Sequence, residues 1–186
     1  MNPSVVDHLV ITAPSLEVGA QWVYQTLGVR PQGGGEHPRM GTHNLLLRLG
    51  ESVYLEVISP NPLAQKPQRP RWFALDELDS DTAVQLCTWV ARTEDIHASI
   101  AACSVLPGEI EAMSRGTANW LISIPTDGRP VLDGAVPALI EWKTDVHPAE
   151  MLEDHGLSLV ELQICHPKAE RIRQQLDAIE FTGEVD

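Results

Sequence analysis

Three stretches of the chain open alike, with a short apolar run, a turn and then helical spacing: Asp7 to Pro14, Cys87 to Thr93 and Glu161 to Pro167. A repeated strand-helix opening constrains a fold more than any single motif, because each copy must bury equivalent faces against equivalent neighbours. The matching places in the three openings hold His8, Cys87 and Glu161, all side chains able to bind a metal ion.

Each opening predicts secondary structure by its period. Val5 to Thr12 has strand composition, and Ser15 to Leu27 has helix spacing, with Leu16, Ala20, Val23, Tyr24 and Leu27 on one face and Gly28 as the stop. Gly33-Gly34-Gly35 reads as a flexible loop; it precedes no strand-to-helix turn and carries no Lys-Ser/Thr pair, so it is no phosphate-binding loop. Strands over Thr42 to Leu49 and Val53 to Ser59, joined at Gly50, suit a hairpin. Prolines 60, 62, 67 and 70 mark a linker, with a short helix expected over Trp72 to Leu78.

The pattern then repeats. A strand through Arg92 leads to a helix from about Glu94 to Cys103, then to strands over Glu109–Arg115, Asn119–Pro125 and Ala138–Lys143. The third opening predicts a strand over Leu157–Cys165 and a helix from Pro167 to about Ile179. Four segments follow: a first unit over 5–60, a linker over 61–84, a second unit over 85–146, and an additional strand and helix over 147–186.

A length of 186 residues and a hydrophobic content of 43% fit one folded core or two small ones. The formal charge of -13 would repel phosphate backbones and anionic headgroups, so nucleic acid and membrane surfaces are excluded and a small-molecule ligand is expected. No run approaches the ~20 apolar residues of a membrane span, and no signal-type segment opens the chain, so cytoplasmic residence is expected. Cys87, Cys103 and Cys165 cannot all pair within the chain and read as reduced thiols. Gly-x-Ser-x-Gly, Gly-x-Gly-x-x-Gly and His-Glu-x-x-His motifs do not occur.

Further motifs point to a family. Asp7-His8-Leu9-Val10, the run Gly41-Thr42-His43-Asn44 through Gly50, Tyr54-Leu55-Glu56-Val57, and Ile140-Glu141-Trp142 ahead of His147-Pro148 resemble the glyoxalase-like group of the vicinal oxygen chelate superfamily over roughly residues 5 to 180. The resemblance implies an α+β fold of paired βαβββ units, forming a cup-shaped mixed sheet with an additional C-terminal strand-helix. It also implies a divalent ion (Zn, Mn, Ni or Fe(II)) that chelates neighbouring substrate oxygens, with lyase or isomerase chemistry leading. Ring cleavage is disfavoured because Cys87 stands where a second histidine is expected. Superfamily ligand positions fall on His8, Glu56, Cys87 and Glu141. The thiol departs from that pattern, which leaves His8, Glu56 and Glu141 as the expected metal set.

Strand alternation puts His8, Val10 and Thr12 on one face, and Tyr54, Glu56 and Ile58 on one face of their own strand. A hydrogen-bonded core histidine, and carboxylates paired with Arg48, Arg71 or Lys143, are the competing readings, because a buried carboxylate needs some partner. His43 is the expected general base near neutral pH. Asn44, Arg48, Cys87 and Trp89 are the expected substrate contacts, with Trp89 on the face of Cys87 as a cup wall. The rival function is a metal-free binding module using the same cup. A monomer and a homodimer both remain open.

Overall fold

A computed structural model describes residues 3–183. The first unit comprises β1 (Val5–Thr12), α1 (Leu16–Leu27), β2 (Gln32–His37), β3 (Thr42–Arg48) and β4 (Tyr54–Pro60). The second repeats the order with β5 (Gln85–Arg92), α2 (Ile96–Ala102), β6 (Glu109–Arg115), β7 (Ala118–Ile124) and β8 (Ala138–Trp142), and α3 (Ala169–Ala178) follows. All strands join one eight-stranded sheet of order β2-β3-β4-β1-β5-β8-β7-β6. Within each unit the first and last strands pair in parallel, and antiparallel β1 and β5 join the units at the centre. The sheet curls into the expected cup-shaped half-barrel. Its two ends approach one another through side chains: Arg39, in the β2–β3 turn, donates to the Ala112 carbonyl of β6, and Arg115 of β6 donates to Asn44 of β3.

Two apolar layers separate the faces. Leu9, Ile11, Leu55, Val57, Trp89 and Leu139 pack under the helices. Val10, Ile58, Val90, Trp120, Ile122 and Ile140 face into the cup, as period-two alternation requires. Ser15 caps α1 by accepting from Val18 N–H, and Gly28 ends it at φ 74. The buried face of α1 is Gly19, Ala20 and Val23, rotated from the expected stripe; Tyr24 and Leu27 are exposed. Gly19 brings the helix close to β4: a Cβ there would stand 2.4 Å from Val57 Cγ1.

Two expectations need correction. Gly33-Gly34-Gly35 is no loop but lies in edge strand β2, paired with β3 through an irregularity between Gly33 and Gly35. Glycine has low strand propensity, and here bare backbone gives room to side chains crossing the edge. Leu157–Cys165 joins no strand ladder; Leu159 N–H bonds the Leu49 carbonyl, and Leu157, Leu159, Leu162 and Ile164 pack against the helical-side core. Its apolar alternation was satisfied by packing a face, without adding a strand.

The linker fills space inside the cup. A 3-10 turn over Trp72–Glu77 sends Trp72, Phe73 and Leu75 into the inner apolar layer. Phe73 and Ala74 hold left-handed φ values of 58 and 55, a strain of about 1–3 kcal/mol each that surrounding packing must offset. Trp72 Nε1 donates to Thr42 Oγ1, and Ala74 N–H to the Gly128 carbonyl. Among the described residues, no helix is long and apolar enough to cross a membrane.

Candidate functional site

Asp7 and His8 are sequence neighbours that would face apart in a regular strand. The β1–β5 register slips between Val6 and His8, so Asp7 occupies a bulge and its carboxylate reaches His8 Nδ1 at 2.6 Å. Asp7 is fully buried and also meets His147 Nε2 at 2.9 Å, Trp142 Nε1 at 3.0 Å and Arg92 Nη1 at 3.2 Å. Ala149 N–H donates to His147 Nδ1, so the His147 ring carries its proton on Nε2, toward Asp7. Burial alone would raise the Asp7 pKa; hydrogen bonds from His147 and His8 outweigh it and hold the carboxyl well below the usual range.

His8 therefore turns its other nitrogen inward. Nε2 stands 3.6 Å from Glu56 Oε2, and Asn44 Nδ2 donates to Glu56 Oε1 at 2.6 Å. Asn44 Oδ1 accepts from Gly35 N–H at 2.9 Å and from Arg115 Nη1 at 3.1 Å. Tyr54 stacks on His8, with ring centroids 4.5 Å apart. Burial, then the charges of Asp7 and Glu56, push the Tyr54 hydroxyl pKa well up and keep it protonated. His37, edge-on to Trp72 and Trp120 deeper in the cup, is held neutral by burial, with its pKa lowered to about 3.

Of the expected metal set, His8 and Glu56 converge and Glu141 does not. Glu141 neighbours Leu139 on the helical side of β8, where Oε2 accepts from Ile96 N–H at the start of α2 and Oε1 pairs with Lys143. Cys87 Sγ faces the Phe73 carbonyl at 3.6 Å, and burial raises its thiol pKa to about 11. A second β1–β5 slip, beside Cys87, breaks the alternation, so Trp89 lies on the opposite face, against Phe181 and the Ala135 carbonyl. Trp89 is therefore no cup wall.

The other expected contacts divide by strand parity. Asn44 faces the cup and His43 faces away, half-buried, with its pKa lowered by that burial. Arg48 donates Nε–H to the Gly50 carbonyl and ties the β3–β4 turn. Sequence reasoning missed Arg92, Arg115 and Tyr54 as site members. Asp7, Trp142 and His147 stood in the family motifs, but nothing in their spacing announced a shared hydrogen-bond hub.

The repeat explains the missing ligands. Ser15 and Asp95 cap α1 and α2 at the same distance from β1 and β5, so Asp7 corresponds to Cys87 and His8 to Thr88. Pairing of Thr12 with Ile58 and of Arg92 with Ile140 then matches Glu56 to Ala138, and the β3 and β7 registers match Asn44 to Ile122. The second unit thus offers Thr88 and Ala138 where the first offers His8 and Glu56. Both line a residual gap of about 20 Å³ against Trp72 and Phe73. The residues present do not fit the metal shell that the resemblance implies: two donors converge, the third serves α2, and no group of three or more His, Cys, Asp or Glu suited to an ion occurs among the described residues.

Paired βαβββ units around a curled sheet define the vicinal oxygen chelate class. More particularly, the family model described as glyoxalase-like domain matches residues 6–180, and the chain belongs to that family. Similar solved structures include a hypothetical protein from Staphylococcus aureus (16% identity, 75% of this chain and 59% of that one, TM-score 0.49), so the chain spans less than two thirds of its length. Methylmalonyl-CoA epimerase from Mycobacterium tuberculosis (17%, 74% and 85%, 0.47) is another. A hypothetical protein from Bacillus halodurans (13%, 81% and 99%, 0.46) is a third. A search of curated proteins found no match.

Proposed function

We propose that the chain binds a small oxygen-bearing or carbonyl metabolite at the first-unit end of its cup, without a resident metal ion. The observation that carries this reading is the one-sided polar array: His8, Glu56 and Asn44 converge, while their counterparts are Thr88, Ala138 and Ile122. Such an array has a few directed polar groups beside aromatic walls, the composition of a small-ligand site. His8 Nε2 meets the ligand's oxygens from a ring whose Nδ1 is held by Asp7, and Asn44 and Glu56 supply a donor and an acceptor beside it. The β2–β6 edge is the entrance in this reading, because side chains rather than a strand ladder close it.

A metal-dependent lyase or isomerase is the second reading, favoured by the 3.6 Å approach of His8 Nε2 to Glu56 Oε2. Elemental analysis and titration with Zn, Mn, Ni and Fe(II) separate the two. The binding reading expects no stoichiometric ion and no uptake, together with ligand-induced quenching of tryptophan fluorescence that His8→Ala and Glu56→Gln weaken. A stoichiometric ion lost in His8→Ala would replace it with the metal-dependent reading.

A further inference from the structure

Arg69, Arg71 and Arg92 are partly buried arginines, and each has a carboxylate within 3.2 Å. Arg115, at the last position of β6 and also partly buried, has a neutral partner, Asn44 Oδ1, and no carboxylate within 4.0 Å among the described residues. Arg48 is likewise without one but ties the Gly50 carbonyl, whereas Arg115 reaches the Asn44–Glu56 array. Its guanidinium carries five N–H donors in a planar fork, and one bond to an amide oxygen leaves most of them unused.

The glycine-rich edge strand is built around that side chain. A Cβ on Gly35 would lie 2.5 Å from Arg115 Cδ, and a Cβ on Gly34 would lie 2.1 Å from Asn44 Oδ1. Both glycines clear space where Arg115, from edge strand β6, meets Asn44 of β3, which accounts for two of the three glycines in a strand that composition alone reads as a loop. Arg115 also belongs to the polar array, because Asn44 accepts from it through Oδ1 and donates to Glu56 through Nδ2.

We propose that Arg115 anchors the carboxylate of a small monoanion whose neighbouring hydroxyl or carbonyl oxygen meets the array of Asn44, Glu56 and His8. This inference rests on the cup-binding reading and names its ligand class. A carboxylate matches the guanidinium fork with two parallel hydrogen bonds. A single negative charge is favoured over a phosphate dianion because Glu56 and Asp7 already stand in the site and the chain carries a net charge of -13.

Tryptophan fluorescence titrations of the full chain with glycolate, pyruvate, inorganic phosphate and neutral hydroxyacetone test it. Glycolate or pyruvate is expected to bind at least about tenfold tighter than hydroxyacetone and phosphate. Arg115→Gln should weaken the carboxylates roughly 10- to 100-fold and hydroxyacetone little, with Arg115→Lys between, at an unchanged thermal midpoint. The wild-type comparison of glycolate with hydroxyacetone needs no variant and keeps the test valid if Arg115→Gln does not fold. Equal binding of glycolate and hydroxyacetone, or undiminished glycolate binding by a folded Arg115→Gln, would overturn the anchor and leave the cup reading standing. Silence from all the probes would overturn both.

Discussion

The two units share one strand-helix scaffold and differ in what they place inside the cup. The first supplies Asp7, His8, Asn44 and Glu56; the matching places in the second hold Cys87, Thr88, Ile122 and Ala138, and linker side chains Trp72 and Phe73 pack over Thr88 and Ala138. Both central strands even bulge at corresponding positions, Asp7 and Cys87. The bulged carboxylate organises a hydrogen-bond hub, whereas the bulged thiol meets a carbonyl and stays protonated. Duplicated backbone geometry therefore does not duplicate chemistry: a few side-chain identities decide whether half of the cup is polar or packed.

The largest test of that contrast removes the hub. Asp7→Ala leaves Arg92, His8, His147 and Trp142 without their shared acceptor and should cost about 3–5 kcal/mol in urea unfolding; a loss below 1 kcal/mol would make the hub dispensable. The pH dependence has a defined sign. Because the Asp7 pKa is depressed in the folded protein, its stabilisation is complete above the ordinary value of 3.8 and is lost as pH falls toward the lower folded value. Asp7→Ala should therefore flatten the acid limb of stability below about pH 4.

Opening the packed half is the next test. Trp72→Ala removes a buried indole and its hydrogen bond to Thr42, with an expected loss of about 3–5 kcal/mol. It should also enlarge the gap beside Thr88 and Ala138 and raise uptake of an apolar fluorescent probe. A variant that stays as stable and excludes the probe would contradict the view that the linker fills this half.

The smallest effect concerns Glu141. Glu141→Gln keeps an acceptor for Ile96 N–H but removes the charge at the start of α2, so a loss of up to about 1 kcal/mol is expected. Ligand binding at the polar array should not change, because Glu141 lies on the helical side of the sheet. A tenfold loss of ligand affinity would place its carboxylate functionally with His8.

Strands and helices were legible where period and stop signals agreed, as in Val5–Thr12, Glu109–Arg115 and the helical run that ends at Gly28. The faces of His8 and Glu56 followed from alternation, whereas the Asn44–Glu56 hydrogen bond joins residues diagonal in the β3–β4 register and was not announced by their spacing. Alternation failed at Cys87, where an unpaired residue in β5 reverses the side on which Trp89 lies. It could not show Glu141 facing α2, because the strand's facing depends on which layer of apolar residues the helices cover. The glycine run misled because its low strand propensity was outweighed by a pairing with β3 that only the assembled sheet supplies.

By itself the sequence determined the repeated strand-helix openings and most of the strands that follow them, since these rest on residue order and local period; strand β2 of the first unit and the unequal donors of the two halves came from the assembled sheet. Tertiary structure decided which donors meet. Bulges bring Asp7 beside His8 and turn Trp89 outward, and the curl of the sheet carries Arg115 from one edge to Asn44 near the other. The bulges arise from the pairing of β1 with β5, and the Trp89–Phe181 and Arg115–Asn44 contacts join residues far apart in the chain, so all of them depend on sheet register and closure, which local sequence preferences do not encode.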